Sequence, residues 1–192
     1  MKLSLAQRAG EPHATLLYYG VSSPLTITDR SQLGTIFDRV DINMKEFTNR
    51  IYLTVHGLPA DGSFSVAVVE NNGAFLFNGD FAKNTGWVYQ LPLKNEGNLF
   101  KADMLTLFKL AENRNTKLTV TNNKLNRVIY EADLVNDLIL NREQATPPPY
   151  KLECERDFHI DIFLEHDGST WMIVRAIINN WNLVYRNVIL GS

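Results

Sequence analysis

Apolar and polar positions alternate strictly near the C-terminus of the chain. Phe158, Ile160, Ile162 and Leu164 fall on one face, and His159, Asp161, Phe163 and Glu165 on the other. A period of two predicts a strand with one buried face. His166-Asp167-Gly168-Ser169 follows with Asp-Gly at its centre, a hairpin signal because both residues tolerate positive φ. Trp171 through Leu190 supplies the returning arm.

The same alternation runs through residues 35–44, where Val40, Ile42 and Met44 share a face, and through residues 50–56, where Ile51, Leu53 and Val55 do. These two runs are predicted to pair as antiparallel neighbours. Thr15–Tyr19 predicts a strand stopped by Gly20, and Pro24 with the polar run 28–32 predicts a loop. Further strands are predicted at Ser63–Glu70, Ala74–Phe77, Trp87–Leu91, Thr116–Thr121 and Arg127–Tyr130. Turns are predicted at Asn71-Asn72-Gly73 and Asn122-Asn123. Phe100–Leu110 fits a helical stripe as well as a strand; its strand neighbours favour the strand. Asp133–Leu140 predicts one short helix capped by Asp133, and Pro147-Pro148-Pro149 a stiff extended link. The expected fold class is all-β with one short helix, arranged as a β-sandwich. The run Gly57-Leu58-Pro59-Ala60-Asp61-Gly62 suggests a division into residues 1–57, a partial N-terminal β-domain, and residues 58–192, a C-terminal β-sandwich domain.

Composition narrows the function classes. The chain has 192 residues, enough to bury a core without covalent staples, and a net charge of −2 leaves no basic surplus for phosphates. No nucleic-acid partner is expected. Cys154 is the single cysteine, so no intrachain disulfide or thiolate cluster can form; a half-buried or buried packing residue is the plain reading. No apolar run approaches the ~20 residues of a membrane span, and the first eight residues lack a signal-peptide core. Gly191-Ser192 resembles a cloning remnant, which leaves open a natural segment upstream of Met1.

Candidate chemistry is sparse. His13, His56, His159 and His166 form no i, i+4 ligand pair. His159 and Asp161 share a strand face and could co-ligate a metal or form a dyad, yet a solvated sheet face explains them as well. Asp157, Asp161 and Glu165 recur every four residues, roughly 13 Å apart along a strand, too far for a glycosidase pair. Asn71-Asn72-Gly73 and Asn78-Gly79-Asp80 resemble fragments of a calcium loop without EF-hand spacing. Neither a Gly-x-Ser-x-Gly elbow nor a Gly-rich phosphate loop occurs. No catalytic residue, metal set or cofactor is expected, and the sequence assigns no binding residue. Trp87, Trp171 and Trp181 could stack sugars, with Trp87 or Tyr130 as the platform; core packing is the plainer role.

Several of these segments carry a resemblance. Arg156 to Phe163, Trp171, and Ile177-Ile178-Asn179-Asn180-Trp181-Asn182-Leu183-Val184 resemble the end of the fimbrillin-A-associated anchor proteins, surface lipoproteins of Bacteroidales with type V pili. That family closes with Asp before alternating apolar residues, then an Ile-Asn-Gly-Trp strand. Ile51 to Val55 with Gly57-Leu58-Pro59 is similar to its interdomain strand and linker, and Asp133 to Ile139 to its short helix. Asn180 stands where the family has Gly, and Asn tolerates the left-handed conformation. The resemblance implies transthyretin-like sandwich domains, the first incomplete here, and no enzyme activity. It implies a structural or anchoring role in a fimbrium at the cell outer membrane, through a lipid-accepting Cys that this sequence lacks. The implied partner is a fimbrial subunit donating a strand to an open edge, expected at Thr15–Tyr19 and Val40–Met44. Two rival readings are a carbohydrate-binding or adhesin module and an enzyme using His159 and Asp161.

Overall fold

The computed structural model describes residues 2–4, 18–22, 40–71, 74–76, 79–82, 86–141 and 151–184. The chain orders its strands as β1 (Lys2–Ser4), β2 (Tyr18–Tyr19), β3 (Lys45–Glu46), β4 (Thr48–His56), β5 (Phe64–Glu70), β6 (Ala74–Leu76) and β7 (Trp87–Asn95). Then follow β8 (Leu99–Lys101), β9 (Leu105–Phe108), β10 (Lys117–Asn122), β11 (Arg127–Asp133), a π-helix (Leu134–Leu140), β12 (Asp157–His166), β13 (Trp171–Ile178) and β14 (Trp181–Val184). The expected class, an all-β sandwich with one short helix, is the one observed. The predicted features at Thr15–Leu17, Pro24, 28–32, 35–39, Asn72, Gly73, Phe77, Asn78, 147–149 and 185–190 lie outside the described residues.

Two leaves share one strand. The first runs β11-β10-β5-β7; the second runs β8-β4-β12-β13-β14, with β9 also beside β4. β7 belongs to both: Trp87–Leu93 pair with β5, and Lys94 and Asn95 pair with β8. Pro92 lies within β7 opposite Ser65. It cannot donate to a ladder, which suits a strand leaving one leaf for the other. Alternation turns Phe64, Val66, Val68, Leu118, Val120, Tyr89 and Leu91 inward from the first leaf. Ile51, Leu53, Val55, Phe158, Ile160, Ile162 and Leu164 meet them from the second. Each large side chain buried this way contributes about 1.5–3 kcal/mol from apolar area.

β4 is the axis of the second leaf. β12 lies parallel to it, in register from Arg50/Asp157 to His56/Phe163. β9 and β8 cover its other edge, antiparallel. Both edges of β4 are therefore occupied, and the expected antiparallel pairing of 40–44 with 50–56 does not form. Val40–Met44 belong to no described strand. The expected division at 57/58 also cuts through the sandwich. Ile51, Leu53 and Val55 lie in the same core as β12, so 48–56 belong with the second unit. Gly57, at φ +86°, is the tight exit of β4, where a Cβ would collide with the Leu164 carbonyl oxygen. Leu58 is buried behind it.

Phe100–Leu110 is strand, but interrupted. Thr54 pairs with Lys101 and Ile51 with Leu105, so three residues on one side oppose two on β4. That extra residue is a bulge, which sequence periodicity does not resolve from a helical stripe. The helix is capped as predicted: Asp133 Oδ1 accepts from the amides of Val135 and Asn136 at 2.9 and 2.8 Å. Asn141, at φ +37°, ends it. Leu134, Val135, Leu138 and Ile139 pack into the core.

The two C-terminal turns use different chemistry. Asn179 and Asn180 have φ of +46° and +73°, so the mismatch at Asn180 keeps the backbone that Gly supplies elsewhere. Asn179 also ties the turn to β12, its Oδ1 accepting from the His159 amide at 2.7 Å and its Nδ2 donating to the Asp157 carbonyl at 2.9 Å. In the other turn only Gly168 has positive φ, +95°. There Asp167 Oδ1 accepts from the amides of Ser169 and Thr170 and from the Ser169 hydroxyl, each at 2.8 Å.

Two predictions follow from these contacts. Asn49 is fully buried; its Nδ2 donates to Glu155 and Arg156 carbonyls at 3.0 and 3.3 Å, and its Oδ1 accepts from the Leu110 amide at 2.8 Å. Asn49→Ala orphans these backbone groups and should cost about 2–4 kcal/mol in urea unfolding; a loss under about 1 kcal/mol contradicts the clamp. The three donors at Asp167 lower its pKa from 3.8 to about 2. Its stabilisation is complete above the unfolded pKa and is lost as pH falls through the folded one. The Tm gap between wild type and Asp167→Ala should therefore close on acidification towards pH about 2; a constant gap contradicts the assignment.

Candidate functional site

The outward face of β4 and β12 is built by their parallel register, which sets like-facing residues side by side. Arg50 grips Asp157 through Nε and Nη2, the latter at 3.0 Å. This hydrogen bonding raises the Arg50 pKa above its ordinary value, against a smaller effect of desolvation. Tyr52 stacks on His159 at 4.4 Å between centroids, and His56 on Phe163 at 4.1 Å. The Arg175 guanidinium covers the other side of Phe163 at 3.8 Å, a cation–π contact.

This arrangement separates the suspected dyad. His159 is engaged with Tyr52, while the Asp161 carboxylate meets His56 Nε2 at 2.9 Å. The His–carboxylate contact is thus made across 105 residues, and only the unforeseen parallel pairing brings it about. Asp157 and Glu165 lie on the same outer face, Asp157 in its ion pair and Glu165 exposed. Among the described residues, no three His, Cys, Asp or Glu side chains group closely enough to hold a metal. Gly79 and Asp80 close a turn, with the Gly79 amide bonded to the Leu76 carbonyl and the Leu76 amide to the Asp80 carbonyl. His166 accepts from the Gly168 amide at 3.1 Å and packs on Trp171. His13 lies outside the described residues.

The aromatic candidates scatter. Trp87, Tyr130 and Trp171 pack against the core, whereas Trp181 is 47% exposed on β14. Both faces of Phe163 are taken by His56 and Arg175, so it offers no stacking surface. Cys154 is exposed, contrary to the packing role expected of it; it sits in the turn after buried Leu152.

The more open surface lies at the other end of β4. β2 and β3 form a two-rung ribbon, Tyr18 opposite Glu46 and Tyr19 opposite Lys45. Gly20 lies against the side chains of Ile42 and Met44. Val40, Ile42 and Met44 are 38%, 49% and 56% exposed, beside exposed Tyr18 and Val21. Aromatic rings anchor this ribbon to the sandwich, Tyr19 to Phe47 at 5.8 Å, Phe47 to Phe75 at 4.4 Å and Phe75 to Phe108 at 5.0 Å. Beside it a groove of about 640 Å³ runs between β3, the end of β9 and the turn at Leu152, with Lys109 and Arg156 on its wall. Glu46 holds Arg50 at 3.7 Å and Arg156 at 3.4 Å. Lys109 Nζ donates to the Glu155 carbonyl at 3.1 Å; burial, then Arg156, lowers its pKa. The sequence signal for this site was the period-two apolar row at 40–44; nothing local marked the groove, whose walls come from three distant segments.

The sandwich thus combines a paired-off outer face on β4 and β12 with an exposed apolar ribbon and an adjoining groove. Its sequence matches the fimbrillin-A associated anchor proteins Mfa1 and Mfa2 over residues 3–187. The chain belongs to that family. It is 27% identical over 170 residues to the minor fimbrium anchoring subunit Mfa2 of Porphyromonas gingivalis, covering 87% of this chain and 52% of that protein. The solved fimbrial anchor protein Mfa2 from Porphyromonas gingivalis superposes with a TM-score of 0.74 at 25% identity, over 95% of this chain and 63% of that one. A Bacteroides thetaiotaomicron structure, a candidate polysaccharide-binding protein, shares the fold with a TM-score of 0.70 at 17% identity, over 97% and 66%. The chain thus spans about half the length of the curated relative it matches.

Proposed function

We propose that this protein is a non-enzymatic structural or anchoring component of a bacterial surface fimbrium, and that it holds a fimbrial subunit by strand addition at Val40–Met44. The observation that carries the reading is the exposed row Val40, Ile42 and Met44, alternating with polar residues in the sequence and outside any described strand. Such a row offers backbone groups to an incoming strand and apolar side chains to its alternate positions. An exposed apolar row of this kind invites association. Of the two edges expected, Tyr18–Tyr19 already pairs with β3, which favours Val40–Met44. The relative described as an anchoring subunit supports the class of role. In this reading the residues before β4 belong to a first β-domain, and a lipid anchor holds the whole protein at the outer membrane. The sugar-binding alternative draws less support, because Trp87 and Tyr130 pack on the core.

Ile42→Asp tests the edge. Ile42 is half-exposed, so the fold should tolerate the change and Tm should stay put. Affinity for the cognate fimbrial subunit, measured by calorimetric titration, should fall at least about tenfold. Unchanged affinity would count against strand addition here.

A further inference from the structure

The three alternating positions of the exposed row are not chemically alike, and the inference drawn from them rests on the strand-addition reading. Val40 and Ile42 are hydrocarbon side chains. Met44 carries a thioether and is the most exposed of the three, at 56%. Peroxides convert a thioether to a sulfoxide, which replaces a flexible apolar tip with a polar one. The other described methionines differ. The Met104 sulfur accepts a hydrogen bond from the Tyr52 hydroxyl at 3.3 Å, and the residue is less exposed, at 40%. Met172 is half-buried on β13. The Met44 sulfur instead lies over the backbone of Gly20, where a Cβ would meet it at 2.6 Å. Gly20 therefore seats the thioether and fills its inner side. An oxygen added to that sulfur points away from Gly20, into the space that a side chain of the incoming strand takes.

We infer that Met44 is a peroxide-sensitive modification site, and that its sulfoxide weakens the hold on the fimbrial subunit. The step balances. The sulfur lone pair attacks one peroxide oxygen, an S–O bond forms and the O–O bond breaks. Sulfur is oxidised by an electron pair, and the departing hydroxide takes a proton and leaves as water. The sulfoxide oxygen is a strong acceptor, and covering it with an apolar side chain that offers no donor opposes docking. Met44 belongs to no described strand, so the sandwich keeps its stability while the edge changes character.

The test treats this protein alone with limiting hydrogen peroxide, ends the reaction with catalase, and titrates it with untreated cognate subunit. Wild type, Met44→Leu and Met104→Leu are each measured before and after treatment. Peptide mass spectrometry should find Met44 oxidised ahead of Met104 and Met172. Treated wild type and treated Met104→Leu should bind at least about fivefold more weakly, with Tm unchanged. Met44→Leu should bind as untreated wild type does, before and after peroxide. Methionine sulfoxide reductase should restore the treated wild type. Unchanged affinity with Met44 fully oxidised overturns this inference alone, as does a loss that persists in Met44→Leu or oxidation of Met104 ahead of Met44. Absence of binding by untreated wild type overturns strand addition and the switch together.

Discussion

The parallel contact between β4 and β12 is the constraint on which the other features depend. It joins residues more than a hundred positions apart, from Arg50/Asp157 to His56/Phe163. With β8 and β9 on its other edge, β4 has no side left for a further strand. The inner residues of the pair, Ile51, Leu53, Val55, Phe158, Ile160 and Ile162, are nearly inaccessible to water and form the centre of the core. The outer residues of the same pair satisfy one another as ion pairs and stacked rings. One register therefore accounts for the core, for the quiet outer face, and for the exclusion of Val40–Met44 from the sheet.

That exclusion gives the molecule its uneven surface. Around β12 four pairs are already made: Arg50 with Asp157, Tyr52 with His159, Asp161 with His56, and Arg175 with Phe163. Paired groups of this kind gain little from a newcomer, because a new contact first breaks an old one. The ribbon end differs in that the apolar side chains of Val40, Ile42 and Met44 face solvent and lie outside any described strand. A binding function is therefore easier to place at Val40–Met44 and the neighbouring groove than on the more polar face that first attracts attention.

Much of the fold was legible in the sequence, and the losses have physical causes. β12, β5 and β10 each bury one face, so period-two alternation reveals them. Asp133 was legible because capping is local, its carboxylate reaching amides two and three residues on. Pairing partners were not legible: alternation in 40–44 and 50–56 is the same whether the two runs pair or not. Gly57-Leu58-Pro59 looked like a linker because a tight exit needs the same residues as a flexible one; only the Leu164 carbonyl against Gly57 distinguishes them. Asn49 and the His56–Asp161 contact escaped notice because their partners lie 61 to 107 residues away. Within the candidate site, the apolar row was visible and the groove was not.

The central claim is that the subunit joins this protein as an added strand at Val40–Met44. Amide hydrogen exchange with and without saturating subunit measures this directly, because strand addition places backbone N–H groups in new hydrogen bonds. The account predicts slowed exchange at alternate amides of Val40–Met44, with the β4–β12 amides unchanged. Slowed exchange confined to the β12–β13 face, with Val40–Met44 exchanging as in the free protein, would contradict it.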